Sequence, residues 1–155
     1  MRKLIVVLAI LAVPVAVAAP AHADVPCRAE LYSIYANNLN EMDGKDELRF
    51  SVGGNLYPTV HKDWVKIASG KTKYSAAFER PSGLISTSTG SAIFSLREVT
   101  PPAAGLGTLL GTAVVNSQDC NGLAVGQTRI LPTQFIEGND ESPYAYEVKL
   151  QVLAI

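Results

Sequence analysis

The most constraining stretch of this chain is its end. Tyr146, Val148, Leu150 and Val152 alternate with Glu147, Lys149 and Gln151. A period of two puts the apolar set on one face of an extended strand and the polar set on the other. The same alternation recurs upstream. Leu48, Phe50 and Val52 are interleaved with Arg49 and Ser51, and Val65 and Ile67 lie opposite Trp64, Lys66 and Ala68. Further strands are expected at Glu30 to Ala36, Tyr74 to Phe78, Ala92 to Glu98, Leu109 to Val115 and Thr128 to Leu131. Gly, Pro, Asn and Ser punctuate them, and Pro101-Pro102 stops the strand that ends at Glu98. Gly83 to Ser91, with few charges, reads as an edge strand. Gly138 to Pro143 reads as a mobile link. Almost no stretch carries a helical period. Seven to nine short strands at this spacing predict an all-β fold, a single antiparallel β-sandwich.

The start of the chain follows a different rule. Arg2 and Lys3 precede an apolar run from Leu4 to Ala19, closed by Ala21-His22-Ala23. That is the pattern of a secretory signal peptide over residues 1–23, leaving a secreted, extracellular domain over residues 24–155. A retained membrane anchor is the competing reading; Pro14 and Pro20 argue against it. Loss of Arg2 and Lys3 leaves 11 basic against 14 acidic residues, a net charge of −3. Such a balance, without a basic run, offers nucleic acid no electrostatic footprint. No second apolar stretch is long enough to span a membrane.

Cys27 and Cys120 are the only cysteines. In an exported chain, without CxxC spacing, the pair reads as a disulfide; two free thiols or two metal ligands are the alternatives. His61 is the only histidine after Ala23, so a Ser-His-Asp triad would have to recruit it, and no GxSxG elbow surrounds any serine. Glu41, Asp43, Glu47, Glu79 and Glu98 supply carboxylates from which a glycoside-hydrolysing pair would be drawn. Tyr32, Tyr35, Tyr57, Trp64, Tyr74, Tyr144 and Tyr146 are candidates for an aromatic recognition surface. The simpler account of most of them is packing, and Trp64 is expected to be buried.

Chemistry is most concentrated in Glu41-Met42-Asp43-Gly44-Lys45-Asp46-Glu47. Carboxylates around a glycine, just before a strand, suit a hard cation such as Ca²⁺, although the spacing is not that of an EF-hand. The competing reading is a solvated turn set by Asp-Gly. Asp43, Asp46 and Glu47 are the candidate metal ligands. The order EMDGKDEL, LRFSVGG, AIFSLREVT and TLLGTAVV resembles bacterial secreted forms of the calcium-and-lipid-binding β-sandwich named after the second conserved region of protein kinase C. The resemblance implies a calcium site shared between two loops. Here the second loop, Pro101 to Gly107, has no carboxylate, and only Glu98 on the preceding strand is placed to approach.

The expected function is therefore a non-enzymatic binding or interaction module of the cell exterior, with a weak calcium site in the Glu41–Glu47 loop and an extracellular protein or surface as partner. The alternatives are a cation-independent inhibitor, effector or envelope-associated protein, and a carboxylate-based hydrolase.

Overall fold

The computed structural model describes residues 26–59, 63–86, 90–102 and 105–155. The signal-peptide reading of residues 1–23 and the triad reading of His61 lie outside them. Alternation does what it predicts. The strands are β1 (Cys27–Asn38), β2 (Asp46–Val52), β3 (Asn55–Tyr57), β4 (Val65–Ile67), β5 (Lys71–Tyr74), β6 (Ser82–Ile85), β7 (Ser91–Glu98), β8 (Thr108–Asn116), β9 (Thr128–Ile130), β10 (Gln134–Asn139) and β11 (Pro143–Ala154). One sheet runs β10-β11-β1-β5, with β6 also pairing β1 and β9 also pairing β11; the other runs β3-β2-β7-β8, with β4 also pairing β2. Every pairing is antiparallel. Among the described residues no helix is long and apolar enough to cross a membrane.

The sheets face each other across an apolar core. Leu31 and Ile34 from β1, Phe50 from β2, Phe94 and Leu96 from β7 and Val148 and Leu150 from β11 are buried in it. Each such side chain stabilises the fold by about 1.5–3 kcal/mol when fully buried. Two segments depart from the simple alternation. Tyr74 to Phe78 is not one strand: β5 ends at Tyr74, and Ser75–Phe78 is a 3₁₀ turn. That turn swings Phe78 inward, edge-on to Phe50 at 5.1 Å between ring centres, while Ala76 and Ala77 stay exposed. Burial of one large ring outweighs continuation of a short strand. The Gly138 to Pro143 stretch is a tight hairpin, with Gly138 opposite Tyr144 and Asn139 opposite Pro143. Within the predicted Gly83 to Ser91 edge, β6 pairs with β1, and residues 87–89 lie outside the described set.

The two ends of the sandwich are closed differently. At one, the disulfide joins Cys27 at the start of β1 to Cys120 beyond β8, with Cα atoms 6.3 Å apart. At the other, polar side chains take over from the apolar core. One lateral edge is also capped: the Gln134 side chain accepts from Val114 N–H at 2.8 Å and donates to Val114 C=O at 2.8 Å. Glycine permits that approach, since a Cβ at Gly111 would lie 2.6 Å from Ile136 on β10.

Candidate functional site

Inward-facing positions of β2 are Asp46, Leu48, Phe50 and Val52, and those of β7 are Ala92, Phe94, Leu96 and Glu98. Each strand thus ends in a carboxylate where the period calls for a core residue, and the register brings the two close by pairing Leu48 with Glu98. Asp46 is fully buried and saturated. It accepts from Asn40 N–H at 2.8 Å, from Glu41 N–H at 2.9 Å, and from the Tyr146 hydroxyl of the facing sheet. Burial raises its pKa, and the two backbone donors oppose the rise.

Asn40 is the hub. Besides its backbone bond to Asp46, its Nδ2 donates to Glu98 Oε2, and its Oδ1 accepts from Glu141 N–H at 3.2 Å. One buried amide therefore ties the β1–β2 turn to the end of β7 and to the β10–β11 hairpin. Ser142 Oγ adds a second tie to Leu39 C=O at 2.7 Å. Glu98 is only 5% exposed, and its Oε1 has no hydrogen-bond partner. Its carboxyl is pushed up to about 7, first by burial, then by the charges of Asp46, Glu41 and Glu141, against the Asn40 hydrogen bond. Glu41, half-buried, is raised by burial and then by Glu47, Asp43, Asp46 and Glu141. Gly107 brings the returning chain over this end. It sits at φ +77°, and a Cβ there would collide with the Glu98 carbonyl, so only glycine fits.

The three residues singled out as metal ligands leave the β1–β2 turn in different directions. Asp43 is exposed and accepts from Lys45 N–H at 3.0 Å, an Asx turn. Asp46 points into the sandwich. Glu47, the next residue along β2, faces the opposite side and pairs with Lys66 Nζ at 2.8 Å. Among the described residues no group of three or more His, Cys, Asp or Glu is arranged to hold a metal ion. Glu98 does approach the loop, as its place on the strand suggested. Of the carboxylates considered for hydrolysis, Glu79 is engaged with Thr59, accepting from its N–H at 2.7 Å and its hydroxyl at 2.6 Å.

Sequence reasoning missed Asn40, Glu141 and Ser142. Asn40 carried a weak signal, as the last asparagine of Asn37-Asn38-Leu39-Asn40 before the acidic run. The hairpin partners carried none, because they are about 100 residues away. The aromatic candidates divide. Tyr144 and Tyr146 are buried, with Tyr144 donating to Leu110 C=O at 2.8 Å. Tyr57 and Trp64 are half-buried, so Trp64 is less enclosed than expected and lies just outside β4. Tyr32, Tyr35 and Tyr74 share the outer face of the first sheet.

No family model and no curated protein matches the chain. Among solved structures it is similar to a fragment holding C2 domains A and B of extended synaptotagmin 2. That match has 14% identity, covers 97% of this chain and 48% of the other, and has a TM-score of 0.47. The chain thus spans about half the length of that fragment. It is also similar to C2 domain A of plant extended synaptotagmin 1, with 9% identity, 87% coverage of this chain and 98% of the other, and a TM-score of 0.46.

Proposed function

We propose that the chain is an exported, non-enzymatic binding module whose acidic end, around Asn40, is the part that responds to a cation. The observation that carries this is the gathering of carboxylates around Glu41, which lies within electrostatic reach of Asp43, Glu98 and Glu141. The buried, unpartnered Glu98 Oε1 sits among them. Export is supported by Arg2, Lys3, the apolar run and Ala21-His22-Ala23, together with a disulfide of the kind that persists in oxidising compartments. A binding role is favoured over hydrolysis because Asp46 and Glu98 are both buried and both held by Asn40. A hydrolytic pair needs an open cleft between two carboxyls.

The residues as placed do not form a ready calcium cage. Asp46 is saturated, and Glu47 is paired with Lys66. The donors left for Ca²⁺ are Glu41, the second oxygen of Asp43, Glu98 Oε1 and Glu141, and the turn at residues 39–45 would have to close on the ion. That cost suits a weak site, in the ~10⁻⁴–10⁻³ M range of extracellular modules. The cation-independent alternative keeps the same fold and uses its surface alone.

Thermal unfolding of the oxidised protein starting at Asp24, in millimolar Ca²⁺ and in chelator, decides between them. A ligand at 100 times its dissociation constant adds about 2.7 kcal/mol, several degrees for a domain of this size. An upward shift that disappears in Asp43→Ala supports the calcium reading. Identical midpoints with and without Ca²⁺ retire it in favour of the cation-independent one.

A further inference from the structure

The outer face of the first sheet carries a second built region, away from the acidic end. Two neighbouring cross-strand rows define it. In one, Ser33 on β1 lies between Tyr74 on β5 and Lys149 on β11; in the other, Tyr35 lies between Thr72 and Glu147. Residues two apart on a strand share a face, so both rows point the same way. Ser33 is short and only 7% exposed. The longer side chains on either side stand above it, leaving a depression of about 470 Å³ walled by tyrosine rings and by Glu147 and Lys149. That is within the ~300–1,000 Å³ of small-molecule sites.

A β-bulge completes the wall. The register slips between Leu31 and Ser33, because Leu31 pairs with Leu150 and Ser33 with Lys149. The extra residue leaves Tyr32 and Ser33 side by side on the outer face, where strict alternation from Leu31 would send Ser33 into the core. Bulges commonly re-aim a side chain in this way. Tyr32 meets Tyr74 edge-on, with ring centres 6.2 Å apart and planes at 90°. Tyr74 is 59% exposed, and an edge-to-face pair leaves a ring face open to a ligand. Asn37 Nδ2 holds Glu147 by Oε1 at 3.0 Å. Glu147 Oε2 and Lys149 Nζ have no hydrogen-bond partner among the described residues.

We propose that this depression binds a neutral oligosaccharide, with sugar rings stacked on Tyr74 and Tyr35 and hydroxyls bonded to Glu147 and Lys149. The choice of ligand follows from charge. A cation drawn to the tyrosine faces and Glu147 meets the Lys149 ammonium in the adjacent row. An anion drawn to Lys149 meets Glu147. A polyhydroxylated ring satisfies both, since its hydroxyls donate to the carboxylate and accept from the ammonium, and its C–H face packs on the aromatic rings. The site shares no residue with the acidic end and needs no metal ion.

The test is a titration of the isotope-labelled, oxidised protein, in chelator, with neutral hexasaccharides of glucose, xylose, mannose and N-acetylglucosamine, followed by backbone amide resonances. Saturable shifts centred on Tyr32, Ser33, Tyr35, Thr72 and Tyr74 are expected with at least one of them. Tyr74→Ala should weaken that binding about tenfold, the equivalent of one lost aromatic contact. The near-isosteric Glu147→Gln should weaken it while keeping the thermal midpoint, and Tyr57→Ala should leave it unchanged. Silence with every neutral sugar overturns the proposal. So does binding that survives both Tyr74→Ala and Glu147→Gln, or tighter engagement of the same residues by tetramethylammonium or by an acidic hexasaccharide. Because chelator is present throughout, the result stands whether or not the acidic end binds calcium.

Discussion

At one end of the sandwich Cys27 and Cys120 join the two sheets covalently. At the other, Asn40, Asp46, Tyr146 and Glu98 join the same sheets through hydrogen bonds alone. The covalent end acts mainly on the unfolded chain, whose loop of 93 residues it closes, and it is indifferent to pH in the range where carboxyls titrate. The polar end acts on the folded chain and carries a penalty, because two carboxyls are taken from water. For Glu98 the folded pKa of about 7 lies above the ordinary 4.5. The folded state therefore holds this proton more firmly than the unfolded one. Its contribution is complete below pH 4.5 and is lost as pH rises through about 7. One clamp is constant, and the other loosens toward alkaline pH.

Replacing both cysteines by alanine should break the comparison most severely. Closing a loop of this length contributes about 4–5 kcal/mol in the chain-entropy account. Urea unfolding should show a loss of that order, equal at pH 5 and pH 8; a loss confined to one pH would mean the two ends are coupled. Glu98→Gln comes next and has the opposite sign. It should stabilise the protein by about 3 kcal/mol at pH 8, change little at pH 4, and flatten the stability profile between them. Asp46 and Glu41, which are raised in the same direction, supply further slope of the same sign, and Glu79, held below the usual carboxylate range by its hydrogen bonds to Thr59, opposes them. An unchanged slope would remove Glu98 from the account. Tyr146→Phe deprives Asp46 of its cross-sheet donor and should cost about 1–3 kcal/mol, read by denaturant titration, with no effect on the disulfide end. Lys66→Ala should have the smallest effect, because its ion pair with Glu47 is solvent-exposed on the lysine side and is screened by salt. A difference from wild type that persists in 1 M salt would contradict this.

The fold was largely legible, because burial on one face writes a period of two into β2, β7, β8 and β11. What escaped were segments whose placement depends on distant partners. Asn55–Tyr57 is too short to alternate, and Gln134–Asn139 sets Phe135 and Ile136 side by side instead of alternating, so each is a strand only because β2 and β11 offer an edge. The candidate site was half legible. Asp46 and Glu47 stood out as charges, but adjacent positions on a strand face opposite ways, which sends one to Tyr146 and the other to Lys66. Composition cannot carry that distinction; only the register of β2 does. The bulge at Tyr32–Ser33 escaped for a related reason. Strict alternation from Leu31 places Tyr32 outward and Ser33 inward, and the bulge sets both outward.

The bidentate grip of Gln134 on Val114 has a meaning beyond the single molecule. A carboxamide offers one donor and one acceptor in the geometry of a peptide unit, so at this point the rim of β8 is already occupied by an imitation strand. A second copy arriving edge-first would have to displace it before laying down its own backbone. Growth of ordered aggregates along this rim is hindered at its first step. One amide thereby helps set how concentrated the protein can become before its chains begin to template one another.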